Sequence, residues 1–241
     1  MTYSISVAVA PLRKEPSDSS EMISQALFGE GVSVLELLEK WALVKLDADG
    51  YEGWVDRKQL IQRLSTEQIF LLTWPITLCT LSNGASVWLP AGARVGESKC
   101  TVENRSIWNG GAADIRLCAM QFLNAPYLWG GRTILGIDCS GLTQLVFQLN
   151  GKQLPRDAYQ QAELGTTVSF LEETQTGDLA FFDNQDGRII HVGIVLIDDH
   201  GVRTIVHASG KVRIDLIDHQ GIYNRETGVY SHTLRIIKRM V

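Results

Sequence analysis

A single cysteine and its flanking residues constrain this chain more than any other feature. The segment Gly136–Gly141 reads Gly-Ile-Asp-Cys-Ser-Gly, and the apolar run Leu142–Leu149 follows it directly. A Gly-rich loop before an apolar run predicts that Cys139 lies in the first turn of a buried helix. A helix N-terminus carries partial positive charge, so we expect the pKa of this thiol to be lowered and its sulfur to be nucleophilic at neutral pH.

Composition and charge exclude several other classes of protein. The chain has 241 residues, a net charge of −5 and no run of Lys or Arg, so nucleic acid is not an expected partner. No segment approaches the roughly 20 apolar residues that a membrane span needs. Residues 1–6 lack a basic segment followed by an apolar one, so we expect no secretory signal and a cytoplasmic protein. We also expect the protein to be a monomer.

Residues 1–62 predict a small β-barrel. Val32–Leu38 and Trp41–Leu46 are strand-like, and the turn Asp47–Gly50 leads to a further strand-like segment, Tyr51–Asp56. Short strands joined by Gly and Asp turns are typical of such barrels. The order of features resembles that of a bacterial SH3-like domain, the matching parts being Leu12–Arg13, Phe28–Gly31, Trp41 with Val44, and Gly50–Val55.

The rest of the chain divides into two further regions. We interpret residues 63–108 as a second, degenerate SH3-like barrel or as a β-linker, with Asn83-Gly84 as a hairpin signal. In residues 109–241, apolar positions within 115–122 have helical spacing, and strand-like segments follow from Asp178 on. Helices followed by antiparallel strands predict an α+β fold for this region, preceded by one or two small barrels.

The cysteines are scattered without metal-ligand spacing. We expect Cys79, Cys100 and Cys118 to be reduced and buried, although the sequence leaves open a disulfide between the first two. Cys139 is therefore the one thiol for which the sequence predicts chemistry.

Two histidines are candidates for activating that thiol. If the hairpin around Asp198–Gly201 is symmetric about Asp199, His191 and His207 lie opposite each other with Cβ atoms about 5 Å apart. His191 would then take the proton from Cys139, and His207 would hold its imidazole in the required tautomer. A zinc site formed by the same three side chains is the alternative. We expect structural or surface roles for His200, His219 and His232.

Residues 112 to about 210 resemble the NlpC/p60 cysteine peptidases, papain-like enzymes that cut bacterial cell-wall peptides. The matching segments are Pro126–Gly131, Gly136–Leu142, Leu154–Ala158, Thr176–Phe182, His191–Ile194 and Val206–Ser209. The resemblance implies Cys139 as the nucleophile, His191 as the base and His207 as the third polar residue. It implies no metal and no other cofactor.

The SH3-like region before this domain is similar to a subfamily that hydrolyses the bond between γ-D-glutamate and a diamino acid. That resemblance implies small murein peptides with a free N-terminal L-Ala as substrates, in cytoplasmic recycling of cell-wall peptides. It further implies that the barrel closes one end of the cleft and that acidic and tyrosine groups bind the substrate ammonium.

Six residues are candidates for substrate binding: Asp138, Ser140, Arg156, Asp157, Tyr51 and Glu15. A buried ammonium needs anionic or carbonyl partners, which the acidic members would supply. Arg156 could instead pair with a substrate carboxylate. The structural alternatives are an N-cap for Asp138, an ion pair between Arg156 and Asp157, barrel packing for Tyr51 and a solvated charge for Glu15.

Other functions remain open at this stage. The chain could be an intact peptidoglycan hydrolase in wall remodelling, a peptidoglycan-binding module with an inactive peptidase, or a papain-like acyltransferase or amidase. The set of Cys139, His191 and His207 argues against an inactive module, and the barrels argue against a transferase. An oxyanion would be stabilised by the backbone N–H of Cys139 and by a second donor that the sequence does not identify.

Overall fold

The fold is described from a computed structural model over residues 2–62, 69–96, 100–102, 107–108 and 114–240. Within these ranges, no helix combines the length and the apolar content that crossing a membrane requires. The side chain of Cys100 lies outside the described residues, so the disulfide with Cys79 that the sequence leaves open is not tested.

The N-terminal region is a seven-stranded antiparallel sheet in the order β3-β2-β6-β5-β4-β1-β7. The strands are β1 (Thr2–Ile5), β2 (Val9–Arg13), β3 (Met22–Leu27), β4 (Gly31–Leu37), β5 (Trp41–Leu46), β6 (Glu52–Asp56) and β7 (Leu60–Gln62). Alternate side chains, among them Leu12, Val32 and Val44, form one closed apolar core. This agrees with the small barrel predicted from the strand spacing.

The middle region has two three-stranded sheets, in the orders β10-β9-β12 and β11-β8-β13. The strands are β8 (Ile69–Leu72), β9 (Ile76–Leu81), β10 (Ser86–Pro90), β11 (Arg94–Gly96), β12 (Cys100–Val102) and β13 (Ile107–Trp108). β9 and β10 form the hairpin predicted at Asn83-Gly84. Leu72, Cys79 and Leu89 give the region its own small core. The division of the chain at residues 62 and 108 stays a prediction.

The C-terminal region has a second seven-stranded sheet, in the order β16-β22-β17-β18-β19-β20-β21. Its elements are α1 (Ile115–Met120), β14 (Arg132–Thr133), β15 (Gly136–Ile137), α2 (Cys139–Leu149), α3 (Ala158–Gln161), β16 (Thr166–Val168), β17 (Leu179–Asp183), β18 (Ile189–Ile197), β19 (Arg203–Ser209), β20 (Lys211–Ile217), β21 (Gly221–Asn224) and β22 (Val229–Arg239). β21 also pairs with β22, which closes the sheet into a barrel. Strands outweigh the short helices, so the α+β prediction holds only in outline.

The two faces of this sheet belong to different cores. Val192, Ile194 and Val206 pack against the helices, whereas Val195 and Ile205 contribute to the core that the closed sheet encloses. Successive side chains of a strand point to opposite faces. His191 and His207 therefore share the enclosed face.

Helix α2 is buried along its whole length, Cys139 to Leu149. Asp138 stands at its N-cap and accepts a hydrogen bond from the backbone N–H of Gly141 at 2.7 Å. Asn150 ends the helix, and Gly151 follows with φ of 78°, a left-handed conformation that is common directly after a helix. The helix thus places its first residue, Cys139, against the sheet.

The N-terminal barrel packs on the C-terminal region through buried polar contacts of its edge strand β3 and of the turn that follows it, where Glu30 lies. Arg132 forms a two-pronged ion pair with Glu30 at 3.0 and 3.1 Å, and its N–H groups also bind Gln25. Gly130 has φ of 76°, and a Cβ there would lie 2.6 Å from the carbonyl oxygen of Met22. Only glycine permits this close approach of the two backbones.

Candidate active site

Cys139 occupies the predicted position at the start of α2, and 7% of its surface is exposed. The backbone N–H groups of Val192 and Ser140 face its sulfur. Val192 directly follows His191, so the contact between α2 and β18 brings the thiol to the strand that carries the predicted base.

The prediction of a lowered thiol pKa is wrong. Burial, with the adjacent Asp138 carboxylate as the second cause, raises the pKa of Cys139 to about 12, and the N–H groups of Val192 and Ser140 offset this only in part. The helix N-terminus does not compensate for the loss of water around the charged sulfur. At neutral pH the sulfur of Cys139 is therefore protonated, and attack requires a base that removes this proton.

The two predicted histidines are in contact, since Nε2 of His191 lies 2.8 Å from Nδ1 of His207. The predicted register was wrong by two residues: Gly193, not His191, is directly opposite His207. An even shift keeps both side chains on one face, so the prediction of their contact survives. A Cβ at Gly193 would lie 2.9 Å from the Cβ of His207, and glycine leaves His207 room to approach His191.

A third histidine, which the sequence analysis treated as structural, belongs to this cluster. The ring of His232 on β22 stacks on His191, with centroids 4.1 Å apart and planes at 20°. Burial, then the neighbouring imidazoles, holds the pKa of His191 well below its usual value, and burial lowers the pKa of His232 to about 4. No local pattern joins Val229–Arg239 to β18, and the long-range pairing of β22 with β17, the neighbour of β18, brings His232 there.

The three imidazoles offer ligand atoms within 4.8 Å of one another, which raises the possibility of a metal ion. Zinc needs nitrogen lone pairs that converge on one point about 2.0 Å away. The lone pair of an imidazole lies in the plane of its ring, and the stacked rings of His191 and His232 have nearly parallel planes, so their lone pairs do not converge. Both nitrogens of His207 are hydrogen-bonded. This ring arrangement does not fit a metal and leaves the imidazoles for proton transfer.

A buried carboxylate extends the histidine pair. Oδ2 of Asp215 lies 3.1 Å from Nε2 of His207, and Asp215 also accepts hydrogen bonds from the Arg213 guanidinium and the backbone N–H of Arg225. Burial alone would raise the pKa of Asp215, but these hydrogen bonds hold it well below its usual value. The alternation in residues 211–217 was the available signal, because it places Arg213 and Asp215 on the face opposite Val212 and Ile214.

On the cysteine side, Asp138 and Arg156 form a buried ion pair. Nη1 and Nη2 of Arg156 bind the two oxygens of Asp138 at 3.0 and 2.6 Å, while Nη1 also binds Ser140 Oγ and Nε binds Ser24 Oγ. The prediction that Arg156 receives a substrate carboxylate is therefore wrong, because its donors face this pair and the N-terminal barrel. Asp138 additionally accepts from Gly130 and Gly141, so its structural alternative, the N-cap, is what the geometry supports.

Two other predicted residues meet where the N-terminal barrel reaches the C-terminal region. The hydroxyl of Tyr51 lies 3.4 Å from Oδ1 of Asp157, and both side chains are half-buried. Burial raises the pKa of Asp157, although the adjacent Arg156 lowers it, and burial with the Asp157 charge raises the pKa of Tyr51. Asp49 lies nearby, where it accepts from Gln144 at 2.8 Å.

Glu15 lies apart from Tyr51 and Asp157. It is exposed on its loop, where its backbone N–H binds Ser20 Oγ. The acidic side chain of this hairpin that does reach the C-terminal region is Glu21, which accepts a hydrogen bond from the indole of Trp129 at 2.9 Å. A substrate contact by Glu15 stays a prediction.

Tyr127 is a further polar group beside the nucleophile. Burial raises the pKa of its hydroxyl to about 12, and the charges of Cys139 and Asp138 act in the same direction. The phenol is therefore protonated at neutral pH and able to donate a hydrogen bond close to the sulfur. It lies within the Pro126–Gly131 segment, but nothing in the spacing assigned it a role.

Comparison with known proteins places this geometry in a family. Residues 124–231 match the NlpC/P60 family, and residues 12–60 match the bacterial dipeptidyl-peptidase Sh3 domain. A Bacillus subtilis protein named gamma-D-glutamyl-L-lysine dipeptidyl-peptidase is 32% identical over 71% of this chain and 68% of its own length. A Lysinibacillus sphaericus protein named dipeptidyl-peptidase 6 is 27% identical over 88% of this chain and 90% of its length.

A solved structure extends the likeness to the whole fold. The crystal structure of an NlpC/P60 family protein from Bacillus cereus superposes with a TM-score of 0.83 and covers 99% of both chains, at 21% identity. The sequence match to the Bacillus subtilis protein and the cysteine–histidine site identify the chemistry. The chain belongs to the NlpC/P60 family, and it is a hydrolase, a cysteine peptidase with an SH3-like domain at its N-terminal side.

Proposed function

We propose that this peptidase hydrolyses the γ-D-glutamyl–diamino acid bond of small murein peptides that carry a free N-terminal L-Ala, during recycling of cell-wall peptides in the cytoplasm. The names of the Bacillus and Lysinibacillus relatives support the bond. The contact between Tyr51 and Asp157 is the observation that carries the specificity for a free N-terminus.

The Tyr51–Asp157 pair suits a primary ammonium. Asp157 is one residue from Arg156, whose partner Asp138 adjoins Cys139, so a short series of residues links the pair to the sulfur. Its carboxylate is half-buried and has lost part of its water, which raises its pKa, and an ammonium would supply a charged partner. An acylated N-terminus would offer neither charge nor the same hydrogen bonds.

The catalytic steps follow from the protonation states. His191 accepts the Cys139 proton as the sulfur attacks the amide carbonyl, which gives a tetrahedral intermediate and an imidazolium. The intermediate collapses to a thioester, and the imidazolium gives the same proton to the departing amine. Water then loses a proton to His191, attacks the thioester and releases the acid, after which the proton returns to the sulfur.

Tyr127 is the group that fits the role of second oxyanion donor. Tyr127 forms a β-bridge with Ile137, two residues before Cys139, and the raised pKa of its hydroxyl keeps the proton in place. The backbone N–H of Cys139, at the start of α2, supplies the other donor. Such donors act on charge that develops only in the transition state and contribute about 3 kcal/mol each.

The first test is mass spectrometry of the products from L-Ala-γ-D-Glu-meso-diaminopimelate and from its N-acetylated form. We expect L-Ala-D-Glu from the free peptide and none from the acetylated one. Cleavage of both peptides, or of intact peptidoglycan, would contradict the recycling role and favour wall remodelling. Transfer of the acyl group to another amine would favour the acyltransferase alternative.

A variant separates the ammonium site from the chemistry. Asp157→Asn should raise KM for the free peptide at least tenfold with little change in kcat, because it removes the charge that faces the ammonium. Asp218→Asn is the matched control, since Asp218 also accepts a tyrosine hydroxyl, that of Tyr230, at a turn between β20 and β21. Equal KM values for the two variants would count against the site.

A further inference from the structure

The imidazole pair ends on a carboxylate that is completely buried. Asp215 has no exposed surface, and its contact with Nε2 of His207 continues the line that starts at His191. Arg213 on β20 is directly opposite His207 on β19. Asp215 lies two residues farther along β20, so its side chain is on the same face of the sheet as His207. Nothing in the peptidase steps described above requires a carboxylate at this position.

We propose that Asp215 is a positioning residue that sets the tautomer of the base His191 through His207. This inference rests on the thiol chemistry of Cys139 and is independent of which peptide the enzyme cuts.

The argument depends on which atoms can donate. An ionised carboxylate only accepts, so the proton of a neutral His207 must lie on Nε2, where it donates to Asp215. Nδ1 of His207 then has only a lone pair and must accept the proton of His191 Nε2. His191 is left with its lone pair on Nδ1, which is the free nitrogen available to take the thiol proton.

The surroundings of Asp215 keep it an acceptor. Nε and Nη2 of Arg213 donate to its two oxygens at 2.7 and 3.1 Å, and the backbone N–H of Arg225 donates to Oδ1 at 2.9 Å. Arg213 is in turn held by Glu226 and Asn224. The carboxylate is thus fixed in place and in charge before any substrate binds.

The substitution Asp215→Asn would change which ring nitrogens of His207 and His191 carry protons. Its amide must place an NH₂ group at one of the two oxygen positions. The Oδ1 position faces two groups that can only donate, the backbone N–H of Arg225 and Nη2 of Arg213. The Oδ2 position faces one such group, Nε of Arg213, together with His207, which can change tautomer, so an NH₂ group meets fewer opposed donors there. The amide NH₂ therefore faces His207 and reverses both imidazoles, leaving the Nδ1 proton on His191.

The test uses Asp215→Asn and measures the rate at which iodoacetamide alkylates Cys139, followed by peptide mapping, together with kcat and KM. Loss of the orienting carboxylate in a serine-protease triad costs about 10⁴-fold in kcat. With one more imidazole between carboxylate and nucleophile, we expect a loss of about 100-fold in kcat and in alkylation rate, with KM unchanged. Alkylation reports on the proposal even if the murein peptide proves not to be the substrate.

The matched control is Asp178→Asn in the same region. Asp178 is also buried, is held by the guanidinium of Arg239 at 2.9 Å and accepts a backbone N–H from Gln175, but it contacts no histidine. This variant carries the structural cost of losing a buried carboxylate without the tautomer effect. A difference below threefold between the two variants, in alkylation and in kcat, would overturn the proposal.

A measurement on the wild-type protein decides the matter if Asp215→Asn does not fold. Imidazole ¹⁵N NMR distinguishes a protonated ring nitrogen from a bare one. We expect the proton on Nε2 in both His191 and His207 of the resting enzyme. A proton on Nδ1 of either ring would overturn the proposal.

Discussion

The two sides of the catalytic centre each contain a buried aspartate held by an arginine, yet the two pairs act differently. Asp138, paired with Arg156, adjoins the nucleophile, and its charge raises the pKa of the thiol. Asp215, paired with Arg213, touches His207, the third residue of the proposed triad. One carboxylate thus opposes ionisation of the sulfur directly, while the other is placed to support a positive charge on the base.

The difference lies in what each carboxylate binds. Asp138 is occupied by the backbone N–H groups of Gly130 and Gly141 and by Arg156, so it fixes the loop and the helix that carry Cys139. Asp215 directs one oxygen to an imidazole that can take either of two tautomers. Asp138 therefore fixes the position of Cys139, whereas Asp215 is placed to determine which nitrogens of the histidines carry protons.

Of the substitutions that test this comparison, removal of the Cys139 sulfur should have the largest effect on kcat. Cys139→Ala should lower kcat at least about 10³-fold, since losing a triad member costs several orders of magnitude. Circular dichroism should show the fold unchanged. Cys118→Ala is the control, because Cys118 is a buried thiol on α1 and should leave kcat within a few-fold. Residual activity of Cys139→Ala above about 1% of wild type would contradict the assignment of the nucleophile.

Asp138→Asn tests the cysteine side. Breaking a buried ion pair costs about 3 kcal/mol, so the free energy of unfolding in urea should fall by this amount. At the same time the pKa of Cys139 should decrease, because the neighbouring negative charge is gone; the pH dependence of alkylation measures it. Ser140→Ala, which removes one 2.8 Å hydrogen bond to Arg156, should cost about 1 kcal/mol. An unchanged thiol pKa in Asp138→Asn would show that the two sides are not distinct in this respect.

The smallest effect concerns pH on the histidine side. His191 must be neutral to accept a proton, and burial with the adjacent rings holds its pKa well below the usual 6.5. The acid limb of kcat/KM should therefore lie below pH 6.5, with activity falling only as the pH drops through this lowered pKa. His219→Asn, which removes an exposed histidine paired with Glu172, should leave the limb in place. An acid limb at pH 6.5 or above would contradict a neutral, buried base.

Local patterns in the sequence predicted the parts of the site that lie close together in the chain. The Gly-rich loop, Asp138 and the apolar run predicted the start of α2, and strand alternation predicted the shared face of His191 and His207. The hairpin register was wrong by two residues because the turn is centred one residue beyond the assumed Asp199.

The remaining parts depend on long-range pairing and on burial. His232 reaches His191 through the pairing of β22 with β17, which no local period encodes. The thiol pKa was mispredicted because the helix N-terminus is visible in a sequence, whereas the exclusion of water is not. The partners of Arg156 could not be predicted from local patterns either, since Ser24 and Asp138 lie far from it in the chain.

The ion pair between Arg132 and Glu30 limits how this protein can be rearranged. Each side chain is almost completely buried against the other domain, so a separated catalytic domain would keep an arginine whose partner is gone. Exchange of the barrel for another would need a matching carboxylate at the same place. The barrel is therefore not an interchangeable module: a replacement that alters Tyr51 would also alter Glu30, the buried partner of Arg132.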